Sequence, residues 1–289
     1  HTLPLVVKAN GLAAGKGVII CKTLASAYHA IDQIMRVKVF GDAGAQVVIE
    51  EFLQGEEVSL FALTDGTSLL PLPFCQDHKT IYDADAGPNT GGMGAYSPVP
   101  RIDIGFSERL MEEIMHPVVR AMAAKGRPYQ GVLYAGLMLV NRRPYVLEFN
   151  ARFGDPEAQV LLMRLDSDLL PLLLATTNGT LNRQTCRWLD DAAVCVVMAS
   201  RGYPEAYERG KVIAGVTSAP EASEVVVFHA GTARRNGRLV TSGGRVLGVT
   251  ARAPDLHQAL EHAYQTVHRI TWEGVHYRTD IGRKAMEIL

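Results

Sequence analysis

The chain has only four cysteines in 289 residues, Cys21, Cys75, Cys186 and Cys195, and they lie far apart. That spacing excludes a paired zinc site and a disulfide-dense secreted scaffold, and it fits a reducing cytoplasm. Net charge is nearly absent as well: Lys+Arg 29 offset Asp+Glu 30, a formal charge of -1. Such a balance argues against a general surface for nucleic acid or for an anionic membrane. No apolar run is long enough to span a bilayer, no signal peptide is visible, and no internal repeat or low-complexity tract stands out. A nucleophilic triad is missing, as is a His/Cys metal cluster, and no oligomeric state is read from the pattern. What is present is an ordinary globular composition, 47% hydrophobic and 20% charged, at a length that favours two domains. The chain begins at His1 and its first strand follows almost at once, so a fragment or a processed chain is expected.

The periodicity predicts strands over Leu3 to Lys8 and Val18 to Cys21, joined by a glycine-rich tip with Gly11, Gly15 and Gly17. Thr23 can cap a helix from Leu24 to about Val37, and strands follow over Gln46 to Leu53 and Val58 to Thr64. Gln76 to Pro100 shows little periodicity and is read as a long functional loop around Gly87 to Gly94. A helix is expected from Phe106 to Lys125, capped by Ser107, with Pro117 kinking or breaking it. Val132 to Val140 and Tyr145 to Arg152 read as a hairpin. After it, Asp155 sits as an N-cap, with Pro156 and Glu157 in the first turn of a helix running to about Asn178. Beyond a boundary near residues 185 to 192 the texture changes to short β-rich segments and one helix from Pro254 to Arg269.

The most chemical stretch is Glu148-Phe149-Asn150-Ala151-Arg152-Phe153-Gly154-Asp155-Pro156-Glu157. On a strand, Glu148, Asn150 and Arg152 share one face. A hard cation takes oxygen ligands, which Glu148 and the Asn150 amide can supply, and the planar fork of Arg152 suits a phosphoryl group. A solvent-facing edge of mixed charge accounts for the same spacing. Gly11 to Gly17 resembles a Walker loop, yet it has three residues between Gly11 and Gly15 instead of four, and Lys16 is followed by Gly17 instead of Ser or Thr. A strand follows where a Walker loop would open a helix. The alternatives are a flap that closes over phosphates with Lys8 and Lys16, or a loose tip with two solvated lysines. Glu50-Glu51-Phe52-Leu53-Gln54-Gly55-Glu56-Glu57 offers acids beside an apolar stretch, as a nucleotide needs, and a solvated acidic edge explains it equally well.

Taken in order, these motifs resemble the ATP-grasp ligases, and among them the glycinamide ribonucleotide synthetases, also called phosphoribosylamine-glycine ligases. The resemblance rests on Lys8 to Val18, Glu50 to Glu57, Gln76 to Lys79, Gly87 to Pro98, Leu133 to Met138, Glu148 to Glu157 and Asp280 to Gly282, and covers nearly the whole chain. It implies an α+β ATP-grasp fold, two subdomains gripping ATP, followed by a small β-rich C-terminal domain. Residues 1–53 would be part of the first subdomain, 54–188 the metal and substrate subdomain and 189–289 the C-terminal domain. The implied reaction joins glycine to 5-phosphoribosylamine with ATP and Mg²⁺ or Mn²⁺.

Carried over by position, Lys8, Gly11, Gly15, Lys16 and Gly17 would hold the phosphates and Glu50 the adenine amino group. Glu51, Phe52 and Leu53 would present backbone to the base, and Glu57 would hold the ribose. Glu148 and Asn150 would ligate the metal. Arg152, Lys16 and Asp155 would serve catalysis, while Asp77, Thr90, Gly91, Gly92, Met93, Gly94, Arg152, Asp155 and Glu157 would meet the substrates. A turn needing positive φ explains Thr90 to Gly94 without a substrate, and a helix cap explains Asp155. Two departures stand out. Tyr134-Ala135-Gly136-Leu137 lacks the further acidic ligand frequent in ATP-grasp enzymes, and the family's N-terminal α/β domain has no counterpart. Two other expectations follow: an ATP-binding fragment without full activity, or another ATP-grasp carboxylate-amine ligase such as a carboxylase component.

Overall fold

The computed structural model describes residues 2–13, 17–100, 102–216 and 224–288. In the first lobe, β1 (Leu5–Ala9) pairs antiparallel with β2 (Val18–Cys21) on one side and β3 (Val47–Glu51) on the other. Alternation sends Leu5 and Val7 toward α1 (Leu24–Ile31), where they pack with Ala27, Ala30 and Ile34, and sends Val6 and Lys8 to the opposite face. Thr23 caps α1 in a reciprocal box: its hydroxyl accepts from the Ser26 N–H, and the Ser26 hydroxyl accepts from the Thr23 N–H. The predicted helix extends beyond Ile31 as a wider π-type turn, Asp32–Arg36.

The second sheet has the order β11-β10-β4-β5, from β4 (Glu56–Thr64), β5 (Leu69–Pro71), β10 (Gly131–Val140) and β11 (Arg143–Asn150). Val58, Leu60, Ala62, Leu133, Ala135 and Leu137 turn to one face, under α2 (Ile104–Leu110) and α3 (His116–Ala124). Asp103, not Ser107, caps α2, accepting from the Phe106 N–H at 2.7 Å. A carboxylate three residues upstream of a free amide fits the cap better than a hydroxyl already inside the first turn. The helix then widens into a π-type turn over Met111–Met115. Pro117 explains it: the ring has no N–H for the Glu113 carbonyl and crowds it, so the turn opens.

The third sheet is β13-β16-β12-β9-β6, formed by β6 (Gln76–Asp77), β9 (Gly94–Ser97), β12 (Ala192–Ala199), β13 (Val225–His229) and β16 (Arg245–Ala253). This corrects the reading of Gln76 to Pro100 as one long loop. Besides β6 and β9, the stretch contains the hairpin of β7 (Thr80–Tyr82) and β8 (Ala86–Asn89). Its lack of periodicity follows from burial: β9 is covered on both faces, which removes the alternation that marks a half-buried strand. The sequence boundary near 185 to 192 falls where β12 begins, while the sheet itself takes in β6 and β9 from the segment before it.

Two helices replace the one expected after Asp155, α4 (Glu157–Arg164) and α5 (Leu169–Asn178). Asp168 caps α5 and places Pro171 in its first turn, where a missing N–H removes no helical bond; Gly179 closes it at φ 68°. Asp155 is not the cap of α4. Pro156 occupies that position without a side-chain bond, because the Asp155 carboxylate is engaged elsewhere. The core is layered. Both faces of β12 are buried: Ala193, Cys195 and Val197 pack with Phe61, Leu63, Val160 and Leu172, and Val194, Val196 and Met198 pack with Leu256, Ala259 and Ala263 of α6 (Leu256–Val267). The hairpin of β14 (Thr232–Arg235) and β15 (Arg238–Thr241) and the short α7 (Arg283–Met286) complete the fold. All four cysteines are free, and no described helix is long and apolar enough to cross a membrane.

Candidate nucleotide and substrate site

Lys8 links the first lobe to the second sheet. Lys8 Nζ lies 2.5 Å from Glu50 Oε2 and donates to the Leu147 carbonyl at 3.4 Å. Lys8 and Glu50 share a face because Lys8 opposes Val48 and Glu50 opposes Val6. Leu147 is the extra residue of a β-bulge, between Glu148 opposite Gly136 and Val146 opposite Leu137. β11 is also an edge strand, so the outward groups of the bulge face the crevice. Ile20 opposes Val6 and Val48 opposes Lys8 on the same face, and they are 49% and 40% exposed, so apolar side chains stand open beside the lysine.

The glycine-rich tip is more tightly used than expected. The Gly11 N–H donates to the Ala43 carbonyl at 2.9 Å, and a Cβ there would stand 2.5 Å from Ala43 Cα. Gly17 closes the hairpin by accepting from the Ala9 N–H at 2.9 Å. Gly15 and Lys16 lie outside the described residues. Glu51 is exposed on the face away from the crevice, and Phe52 and Leu53 are half-buried after β3 ends.

Glu148 and Asn150 stand together on the face of β11 that also carries Glu57, Ser59, Phe61, Tyr134 and Gly136 from β4 and β10. Asn150 Nδ2 donates to Glu148 Oε1 at 3.2 Å. Among the described residues no group of three or more His, Cys, Asp or Glu side chains could hold a metal. The pair fits a hard cation that takes two protein oxygens and fills its other positions with phosphate and water, as Mg²⁺ commonly does. Arg152 does not share their strand face. β11 ends at Asn150, the chain bends, and Arg152 Nη1 donates to the neighbouring Phe153 carbonyl at 2.8 Å. Gly154 lets the chain pass close to Glu157, since a Cβ there would meet the Glu157 carboxyl at 2.4 Å.

Beneath this edge lies a partly buried charge cluster. Lys79 Nζ sits 2.8 Å from Asp77 Oδ2 and 2.9 Å from Glu57 Oε1, so both predicted binding carboxylates are engaged by a cation. Glu157 Oε1 accepts from the Tyr134 hydroxyl at 2.8 Å, and that hydroxyl also lies 2.8 Å from Ser59 Oγ. Burial raises the Glu57 carboxyl above its ordinary value, and burial with Asp77 nearby pushes Glu157 up to about 7. Burial works against the Lys79 ammonium, yet Asp77 and Glu57 carry it well above its usual range.

The structure divides the Thr90 to Gly94 motif. Thr90 Oγ1 accepts from the Gly92 N–H at 2.9 Å and donates to the Lys79 carbonyl at 2.8 Å, and Gly92 has φ 112°, a conformation that favours glycine. Met93 is fully buried, and both of its backbone groups are used, by the His78 carbonyl and the Val197 N–H. Gly94 is packed against Ile281 and the Cys195 carbonyl. Gly92 therefore abuts Asp155 and Pro156, and Met93 and Gly94 anchor the loop to the core. Lys79, Ser59 and Tyr134 were not singled out from sequence. The alternation Glu57, Ser59, Phe61 against Tyr134 and Gly136 would have exposed the last two, whereas no local signal pairs Lys79 with Glu57.

Two family models match the chain, both of phosphoribosylglycinamide synthetase: its ATP-grasp (A) domain over residues 1–158 and its C domain over residues 193–284. The phosphoribosylamine--glycine ligase of Rhizobium meliloti is 53% identical over 98% of this chain and 66% of that protein. The chloroplastic phosphoribosylamine--glycine ligase of Arabidopsis thaliana is 52% identical over 98% of this chain and 54% of that protein. The chain thus spans about two thirds of the length of the bacterial relative and about half that of the plant one. Among solved structures, the phosphoribosylamine--glycine ligase of Thermotoga maritima superposes with a TM-score of 0.87 at 37% identity, over 97% of this chain and 69% of that one. The biotin carboxylase domain of the Hydrogenobacter thermophilus 2-oxoglutarate carboxylase is similar in fold alone, with a TM-score of 0.70 at 14% identity, over 96% of this chain and 59% of that one.

Proposed function

Because the chain belongs to the phosphoribosylglycinamide synthetase family, with its ATP-grasp fold and C domain, we propose that it is an ATP-dependent ligase joining glycine to 5-phosphoribosylamine. The products are glycinamide ribonucleotide, ADP and phosphate. One observation supports the nucleotide side of this reading: Lys8 of the first sheet donates to the carbonyl of Leu147, the chain neighbour of Glu148 on the second. The relatives named phosphoribosylamine--glycine ligase support the choice of substrates. Four free thiols are in keeping with a reducing compartment such as the cytoplasm.

A glycine carboxylate is a poor acyl donor until one oxygen is phosphorylated. Its oxygen attacks the γ-phosphorus of ATP, the bond to the β-phosphate oxygen breaks, and glycyl phosphate and ADP result. The amine of phosphoribosylamine then attacks the acyl carbon, loses a proton and expels phosphate. Phosphoryl transfer of this kind is promoted mainly by positioning and by charge placed around the moving oxygens. Lys8 supplies one such charge from the first lobe, and Arg152, which bonds the Phe153 carbonyl at its bend, supplies another from the second. Ile20 and Val48 take the base, with Glu50 at its edge. Glu148 and Asn150 would hold a divalent cation, Mg²⁺ or Mn²⁺, which neutralises phosphate charge when bound. Thr90 to Gly92 and Asp155 line the amino-acid side, and the flap and this loop keep water from the acyl phosphate.

Glu148→Gln combined with Asn150→Ala tests the assignment. The double variant is expected to lose metal-dependent ADP formation with glycine and phosphoribosylamine while keeping its urea midpoint, since both side chains stand on an edge strand. Undiminished ADP formation would sink the site. A second reading is nucleotide binding without ligation. Metal-dependent ATP binding by calorimetry with no ADP release in the unmodified chain would select it.

A further inference from the structure

The C-terminal part reaches into the substrate side of the crevice through one guanidinium. Arg245, the first residue of β16, donates from Nη1 to the carbonyls of Asp155 at 2.5 Å, Gly91 at 2.7 Å and Gly92 at 3.4 Å. From Nη2 it donates to Asp155 Oδ2 at 3.0 Å. Two loops remote in sequence are thus joined at one planar group. Tyr203, also from the C-terminal part, accepts from the Gly91 N–H at 2.8 Å. The fit is close on both sides. A Cβ on Gly91 would lie 3.0 Å from Arg245 Cζ, and one on Gly92 would lie 2.5 Å from Pro156 Cδ. The dipeptide is therefore held between Arg245 and the Asp155–Pro156 turn.

That turn is the direct continuation of the strand carrying Glu148 and Asn150, and it leads into α4, whose first residue is the buried Glu157. Arg245 consequently ties the loop of Thr90 to Gly92 to the same segment that presents the oxygen pair. We propose that Arg245, assisted by Tyr203, is a positioning residue for the amino-acid half of the site, so that the C domain is a working part of that site. The proposal rests on the ligase reading above. A guanidinium suits the task because its fixed fork offers several donors in one plane, whereas a lysine offers a single point charge. Misplacement of a reacting group by about 1 Å can cost roughly 100-fold in rate, so the loss on cutting this tie is expected in turnover with glycine rather than in nucleotide affinity.

The test compares Arg245→Gln, Arg245→Lys and Tyr203→Phe with the unmodified chain. Hydrogen exchange of peptides covering residues 88–94 and 153–158 reads the clamp, calorimetry with MgATP reads the nucleotide side, and glycine-dependent ADP formation gives kcat and the KM for glycine. Arg245→Gln is expected to speed exchange in both peptides, and to lower kcat/KM for glycine by about 10- to 100-fold. The ATP Kd should stay within about twofold; Arg245→Lys should recover part of the loss, and Tyr203→Phe should speed exchange at Gly91 alone. Unchanged exchange in both peptides of Arg245→Gln overturns the clamp, as do equal losses of ATP affinity and glycine turnover, which mark a general structural defect. If the unmodified chain forms no ADP with glycine, the ligase reading fails, and the exchange measurement still decides the clamp on its own.

Discussion

Glu157→Gln should make the protein more stable in mildly alkaline solution and change its stability little in acid. Glu157 is 3% exposed, and its Oε1 accepts from Tyr134 at 2.8 Å. Burial, reinforced by Asp77, pushes its carboxyl from an ordinary 4.5 to about 7. A carboxyl that is harder to ionise in the folded state opposes folding once the unfolded chain can ionise. Below pH 4.5 both states are protonated and the cost vanishes. Between pH 4.5 and 7 the unfolded chain ionises first and stability falls, and above pH 7 the cost is complete at about 3 kcal/mol. The amide keeps an acceptor for the Tyr134 hydroxyl and carries no charge, so it removes that cost. Urea unfolding at pH 8 should show the variant more stable by about 1 to 3 kcal/mol, and by less than about 1 kcal/mol at pH 5, with the same dependence on urea. A gain of equal size at both pH values, or a loss at pH 8, would refute the reasoning.

Two further expectations test the packing around the site. Arg278 is 1% exposed and bonds Asp280, Asp85 and Thr80. Burial works against the Asp280 carboxylate, but Arg278 and the Ala84 N–H hold it well below its usual range. Arg278→Met should cost about 3 to 5 kcal/mol at pH 7 by leaving carboxylates unpaired. The cost should shrink as pH falls below about 4, where Asp280 becomes protonated in the unfolded chain and the stabilisation gained from its pairing is progressively lost; a pH-independent difference in urea unfolding would contradict this. Gly55→Ala should lower the melting temperature, because its Cβ would stand 2.2 Å from the Leu139 carbonyl, a backbone atom that cannot rotate away. A loss of about 1 to 3 kcal/mol is expected, and an unchanged melting temperature would show that the β4–β10 junction yields freely.

Much of the local structure was legible because it is encoded at short range. Thr23 and Ser26 meet within one turn, the β1–β2 hairpin follows from its apolar runs, Gly179 ends α5, and Pro117 marks the widened turn in the helix before it. Two of the expectations failed because of partners far along the chain. Asp155 has the spacing of a cap, but Arg245, 90 residues away, engages its carboxylate. Gln76 to Pro100 looks like loop because β9 lies between β12 and β6, where burial on both faces leaves no alternation to read. Arg152 left the expected strand face because β11 ends two residues earlier and the chain bends over Glu157.

By itself, the sequence determined the family and the chemistry on offer: the order of lysine, glutamates and the Glu148 to Glu157 stretch needs no coordinates to be recognised. Only the tertiary structure decided how these groups are held. Lys8 meets Glu50 and Leu147, Lys79 joins Asp77 to Glu57, and Arg245 clamps Gly91 to Asp155. Periodicity, caps and turns act over a few residues, whereas these pairings arise when separate strands and loops are brought together by burial of apolar faces. The partner of a charged side chain is then set by topology, which the spacing of residues along the chain does not contain.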